Sequence, residues 1–151
     1  MNSERMAELL HLFNEAAPIA STFGMALTYD DDGRAIVDLP YNPDLDHALG
    51  GIHGGVYATL LDTAGWFTAA AAHDISCWMA TTEMSLHFLA PVQRTSLRAL
   101  GQLIRQGKRQ DVVEMRLYDG NDRLVGHATG TFVLLPSIPL ADKPRLSSQN
   151  E

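Results

Sequence analysis

The run from His47 to His73, HALGGIHGGVYATLLDTAGWFTAAAAH, limits what this chain can become more than any other part of it. Its first third is rich in glycine, and its remainder reads as a helix with apolar residues on nearly every side. A helix without a polar face belongs inside a protein. From Gly54 to Ala72 it carries a single carboxylate, Asp62, and no basic residue. An isolated carboxylate in such a helix costs free energy unless it has partners or a task. The chain must therefore bury this helix and still give Asp62 something to do.

The glycines suggest what that is. Gly50, Gly51, Gly54 and Gly55 let the backbone turn sharply and let a ligand come close to the main chain. If the helix begins at Gly54 or Gly55, its first amide N–H groups have no intrahelical partner and carry the positive end of the helix dipole. Such donors suit a carbonyl oxygen on which negative charge develops. Asp62 lies eight residues beyond Gly54, roughly 12 Å along the axis at 1.5 Å per residue. That is too far for both to act on one carbonyl from the same copy of the helix. If both are catalytic, two subunits build each site.

The rest of the chain shows how the helix is covered. Met6, Leu9, Leu10, Phe13 and Ala17 follow helical spacing, which predicts a short amphipathic helix ended by Pro18 that covers an edge or an opening. Ser21 to Tyr29 and Arg34 to Leu39 flank Asp30-Asp31-Asp32-Gly33, a hairpin signal between two strands. Pro40, Asn42, Pro43 and Asp44 begin an irregular segment leading into the glycines. After the helix, Trp78 to Leu89 alternates, with Trp78, Ala80, Thr82, Met84, Leu86 and Phe88 expected on one face and Thr81, Glu83, Ser85 and His87 on the other. Leu97–Ile104, Val112–Tyr118 and Leu124–Leu135 supply three further strands separated by short turns, which implies antiparallel pairing. The expected architecture is α+β, a curled antiparallel sheet around a long central helix. One domain is expected over residues 1–135, with a disordered tail over 136–151.

Composition removes several alternatives. The formal charge of −7 argues against a nucleic-acid or anionic-membrane binder, because both reward a basic surface. Asp62, three threonines and the glycines make the central helix a poor membrane span. The single Cys77 rules out an intrachain disulfide and points to a reducing cytoplasm. His47, His53 and Asp62 are metal-ligand types, but they lack a His-x-x-x-His pair or a cysteine partner, so no metal is expected. Nothing in the sequence asks for a cofactor.

The residues Gly50-x-x-His53-Gly54-Gly55-x6-Asp62-Thr63 resemble the signature of the hotdog-fold acyl-CoA thioesterases, in the branch that includes the phenylacetate-pathway and 4-hydroxybenzoyl-CoA enzymes. The likeness runs from about Ala20 to Leu135 and takes in Phe88-Leu89-Ala90-Pro91 and Gly126-x-Ala128-Thr129-Gly130-Thr131-Phe132. It implies that Gly54 polarises a thioester carbonyl while Asp62 of the partner subunit acts as general base or nucleophile. It also implies a homodimer as the minimal active unit, a homotetramer as the assembly and an acyl-CoA as the substrate.

The chain departs from that pattern in one place. Where the family carries Asn or Gln, six residues before His53, this chain has His47, whose imidazole would make activity depend on pH near neutrality. Thr81 matches a Ser or Thr that positions water or the acid. His53 is expected to tie down the glycine loop, with a direct chemical role as the alternative, and Gly55 to lie against the substrate. Trp66 is a candidate wall of an apolar acyl pocket. Lys108 and Arg109, with Arg94, Arg98 and Arg105 nearby, are candidates for the CoA phosphates. Two other readings stay open at this stage: an enoyl-thioester hydratase on the same fold, and a non-catalytic acyl-CoA binding or sensing module.

Overall fold

The computed structural model describes residues 2–140. Two helices come first, α1 (Ser3–Asn14) and α2 (Pro18–Phe23), followed by strands β1 (Ala26–Tyr29) and β2 (Ala35–Leu39). A short 3-10 turn at Pro43–Leu45 leads to the long helix α3 (Gly54–Ala71), and β3 (Cys77–Phe88), β4 (Leu97–Arg105), β5 (Gln110–Asp119) and β6 (Leu124–Pro139) complete the chain. The strands form one antiparallel sheet in the order β1-β2-β4-β5-β6-β3. It curls so that α3 packs against β2, β3, β4, β5 and β6. This is the layout expected from the sequence.

The core follows from α3 having no polar face. Leu60, Leu61 and Ala64 are fully buried, together with Val113, Met115 and Leu117 of β5 and Ala128 and Phe132 of β6. Helix and sheet pack tightly at Gly101 of β4, where a Cβ would lie 2.6 Å from the Ala64 carbonyl oxygen. Only glycine permits that approach.

At the amino end, Pro18 does more than stop α1. It occupies the first turn of α2, where a missing N–H and a preset φ cost nothing. Gly24, at φ +84°, closes that helix by donating to the Ala20 carbonyl at 2.8 Å. Residues 21–23, expected to be strand, are therefore helical. The helical pair is held at both ends. Asn14 bonds the backbone of Leu27 twice, its Nδ2 donating to the carbonyl at 2.9 Å and its Oδ1 accepting from the amide at 2.8 Å. Arg5, buried at the other end, pairs with Glu8 at 2.7 Å and donates to the Ala70 carbonyl at 3.3 Å.

Two corrections concern the strands. β6 runs to Pro139, which pairs with Cys77, so residues 136–139 belong to the sheet and not to a tail. The prolines are tolerated because the last β5 pairing, Gln110 with Val133, has already been passed, and an absent N–H costs little on that side. The remainder of the expected tail, 141–151, lies outside the described residues. In β3 the alternation breaks at Thr82, which has no partner as pairing passes from Thr81–Phe132 to Glu83–Thr131. This β-bulge shifts the side-chain phase by one residue. Met79, buried, and Thr81, exposed but bonded to Asp62 of α3, precede it on the helix-facing side, and Met84 and Leu86 follow it into contact with the core. Thr81 therefore lies on the side of α3, against Asp62, and not on the face with Glu83.

Candidate active site

The glycine loop is built around its two histidines. His53 caps α3: its Nδ1 accepts from the Gly55 amide at 2.8 Å and its carbonyl from the Val56 amide at 2.9 Å. Histidine thus fills the place that Ser, Thr, Asp or Asn take at most helix starts. The N–H of Gly54, the first residue of the helix, has no hydrogen-bond partner among the described residues. Gly54 as a residue is half-exposed, and the Phe88 ring would lie 3.1 Å from a Cβ at this position. The amide is therefore open to an outside acceptor at the positive end of an 18-residue helix.

His47 holds the loop further back. Its Nδ1 accepts from the Leu49 amide at 3.2 Å, and its main chain pairs with Gly50 and Gly51 at 2.8 Å each. Its ring lies over Gly51, where a Cβ would meet Nε2 at 2.8 Å. Gly50, at φ +80°, makes the turn possible.

Asp62 sits in the middle of α3, half-buried, and accepts from the Thr81 hydroxyl at 2.8 Å. Burial raises its pKa above the ordinary carboxylate value, and the Thr81 hydrogen bond opposes that shift. Beside it opens a cleft of about 400 Å³, with Asp62, Thr63, Trp66 and Phe67 of α3 on one side. Leu12, Phe13, Ala16, Ala17, Pro18 and Ile19 from the amino-terminal helices form the other, with Trp78 between. Trp66 donates its indole N–H to the Met79 carbonyl at 2.8 Å and packs 5.0 Å from Trp78, ring centre to ring centre. The α1–α2 wall is the part of this site that sequence reasoning missed. Its one available signal was the apolar stripe from Met6 to Ala17, which indicated a cover without showing what it covers.

The candidate residues fall into three groups. Asp62, Thr81 and Trp66 come together at the cleft. His47, His53, Gly54 and Gly55 lie at the start of α3, roughly 12 Å from Asp62 along the axis. Lys108 and Arg109 lie with Arg105 around an open cleft of about 740 Å³ at the β4–β5 turn. Gln106 of that turn donates to the Ala72 carbonyl at 2.7 Å, which fixes it at the far end of α3, roughly 27 Å from Gly54. Within one copy these groups do not meet. Among the described residues there is no cluster of three His, Cys, Asp or Glu side chains able to hold a metal, and no helix long and apolar enough to cross a membrane.

An antiparallel sheet curled around a long central helix defines a hotdog-fold domain. The chain belongs to the thioesterase superfamily, whose family model matches residues 49–126. Among relatives, a protein of Saccharolobus solfataricus whose esterase name is itself provisional is 30% identical over 69% of each chain. The 1,4-dihydroxy-2-naphthoyl-CoA hydrolase of Listeria monocytogenes is 25% identical over 71% of this chain and 87% of its own. A Bacillus halodurans protein solved with CoA superimposes with a TM-score of 0.74 and 29% identity, covering 88% of this chain and 92% of that one. The PaaI protein of the Escherichia coli phenylacetic acid degradation operon, at 22% identity and a TM-score of 0.77, shares the fold over 88% of this chain and 95% of its own.

Proposed function

We propose that this protein hydrolyses the thioester bond of an acyl-CoA. The observation that carries the reading is Asp62, the one carboxylate of an otherwise apolar helix, half-buried at an apolar cleft with its pKa raised by burial. A carboxylate moved toward neutrality suits proton transfer near physiological pH. The Gly54 N–H supplies the other half of the chemistry, a preorganised donor for the thioester oxygen as it gains charge.

Because the two lie apart in one chain, the site takes Gly54 from one subunit and Asp62 from the other. The twelve-residue β3 at the sheet edge, open on the side away from β6, offers a second copy a strand to pair with. A homodimer is thus the minimal unit and a homotetramer the proposed assembly. Asp62 acts in one of two ways. As a base it takes a proton from water, whose oxygen attacks the carbonyl carbon. As a nucleophile it attacks the carbon itself, forming an anhydride that water then opens. In both, the C–S bond breaks and the CoA thiolate leaves to take up a proton. Thr81 holds the carboxylate, His53 and His47 hold the glycine loop, and Gly55 lies against the substrate. We assign Lys108 and Arg109 to the CoA phosphates of a substrate that spans subunits; the CoA-bound Bacillus halodurans neighbour supports a CoA substrate. The single Cys77, buried in the core, fits a reducing cytoplasm.

Thiol release from a panel of aromatic and C2–C16 linear acyl-CoAs tests this, with wild type and Asp62→Asn side by side. The variant keeps the shape of the side chain and loses about 10²–10⁴-fold in turnover if Asp62 transfers the proton, and as much or more if it is the nucleophile. Near-normal hydrolysis by Asp62→Asn overturns the reading.

A further inference from the structure

We propose that the wall formed by α1 and α2 selects the acyl group, and that the group selected is apolar throughout, without hydroxyl or charged substituents. This rests on the thioesterase reading and adds to it a substrate class and the residues that set it.

The family model begins at residue 49, so α3 with Asp62 lies inside the matched segment while α1 and α2 lie outside it. The cleft beside Asp62 has one wall from each. Chemistry and selection are thus carried by separate parts of the chain. At about 400 Å³ the cleft falls within the roughly 300–1,000 Å³ of pockets that take ligands of drug size, far beyond what a two-carbon acyl group fills.

All but one of its polar side-chain groups are already committed. The Thr63 hydroxyl donates to the Thr59 carbonyl at 2.7 Å and the Trp66 indole N–H to the Met79 carbonyl at 2.8 Å. Asp62 accepts from Thr81 and is reserved for the reaction. The remaining lining is aliphatic or aromatic, and its one side-chain donor without a partner among the described residues is the indole N–H of the exposed Trp78. A hydroxyl carried into this cleft away from Asp62 and that indole gives up its water and finds no side-chain partner, a loss that corresponds to about tenfold to a hundredfold in affinity.

The wall is also fixed in place. The two Asn14 hydrogen bonds to Leu27 and the anchoring of Arg5 near the end of α3 hold α1 at both ends, and Phe13 packs edge-on against Phe67 at 5.2 Å between centroids. The cleft is therefore preformed, and filling it has a predictable effect. Ala16 is the position for this, exposed at the protein surface and lining the cleft.

The experiment compares kcat/KM for acetyl-CoA, octanoyl-CoA and 6-hydroxyoctanoyl-CoA in wild type and in Ala16→Phe. Wild type should favour octanoyl over its hydroxylated form by at least about tenfold. Ala16→Phe should lower octanoyl turnover by about tenfold or more while acetyl turnover changes less than about threefold. Equal rates on octanoyl-CoA and 6-hydroxyoctanoyl-CoA overturn the proposal, as does an unchanged chain-length profile in Ala16→Phe. If wild type releases thiol from none of the three and from no aromatic acyl-CoA of the panel above, the thioesterase reading fails. The same two comparisons are then made by calorimetric binding of these acyl-CoAs, where loss of either preference overturns the selection proposal on its own.

Discussion

Gly101→Ala probes the contact on which the position of α3, and with it Asp62, depends. The added methyl would press against the Thr68 hydroxyl and lie 2.6 Å from the Ala64 carbonyl oxygen and 2.9 Å from Thr68 Cβ. None of these atoms is the loose end of a long side chain. The Ala64 oxygen is helix backbone, and the Thr68 hydroxyl accepts from the fully buried Ala35 amide at 3.0 Å. Relief requires α3 to lift from β4, which costs about 1–3 kcal/mol as overpacking does. It also requires Thr68 to turn away, which leaves the Ala35 N–H unpaired at a further 1–3 kcal/mol or so. Replacing glycine within a strand returns about 0.5–1 kcal/mol. The net loss is about 1–5 kcal/mol, centred on ~3 kcal/mol, and a loss of about 3 kcal/mol lowers Tm by roughly 6–12 °C for a chain of this size. Urea titration and calorimetry measure it, with an unchanged m-value expected. A melting temperature within about 2 °C of wild type would refute the claim that helix and sheet meet here without slack.

Three further outcomes follow from the site. Asp62→Asn should be more stable than wild type at pH 7, because a carboxyl whose folded pKa lies above 3.8 favours its protonated form in the native state. Native-state stability of the wild type then falls as pH rises through the window from 3.8 to the raised value, so the advantage of Asn should fade as pH drops to 3.8 and below; an advantage independent of pH contradicts this. Thr81→Val removes the hydrogen bond that opposes burial, so the acidic limb of the kcat/KM profile should move to higher pH, and an unmoved limb argues that Thr81 does not act on the carboxylate. His53→Ala should cost about 0.5–2 kcal/mol in chemical denaturation as the helix cap is lost. His53→Asn should retain the cap and most of the turnover, and an inactive but stable Asn variant would assign the imidazole a direct chemical role.

The parts legible in the sequence were those set by local rules. The apolar run from Gly54 marked α3, its glycine-rich approach marked the start, and the lone carboxylate marked Asp62. Turn residues such as Asp30 to Gly33 bounded the strands. What stayed hidden depends on partners distant in the chain. The bulge at Thr82 exists only relative to β6, so the alternation read from β3 alone put Thr81 on the wrong face. The prolines after Leu135 suggested an end because their sequence does not reveal that β5 has already stopped. α2 is six residues long, too short for periodicity to show, and Gly24 rather than a pattern defines it. The cleft needed four elements, α1, α2, α3 and β3, assembled before its walls could be recognised as one surface.

The bulge has a consequence for how β3 can vary over evolutionary time. Thr82 has no cross-strand partner residue, and its side chain makes one 3.2 Å hydrogen bond, to the Thr131 carbonyl. Its identity is thus nearly free, and so is its presence: without it Thr81–Phe132 and Glu83–Thr131 become successive pairs of a regular ladder, with Thr81, Met84 and Leu86 still on the side of α3. Substitutions at residue 82 and its single deletion should therefore both accumulate. At this place the chain carries a spare residue that the fold absorbs rather than requires.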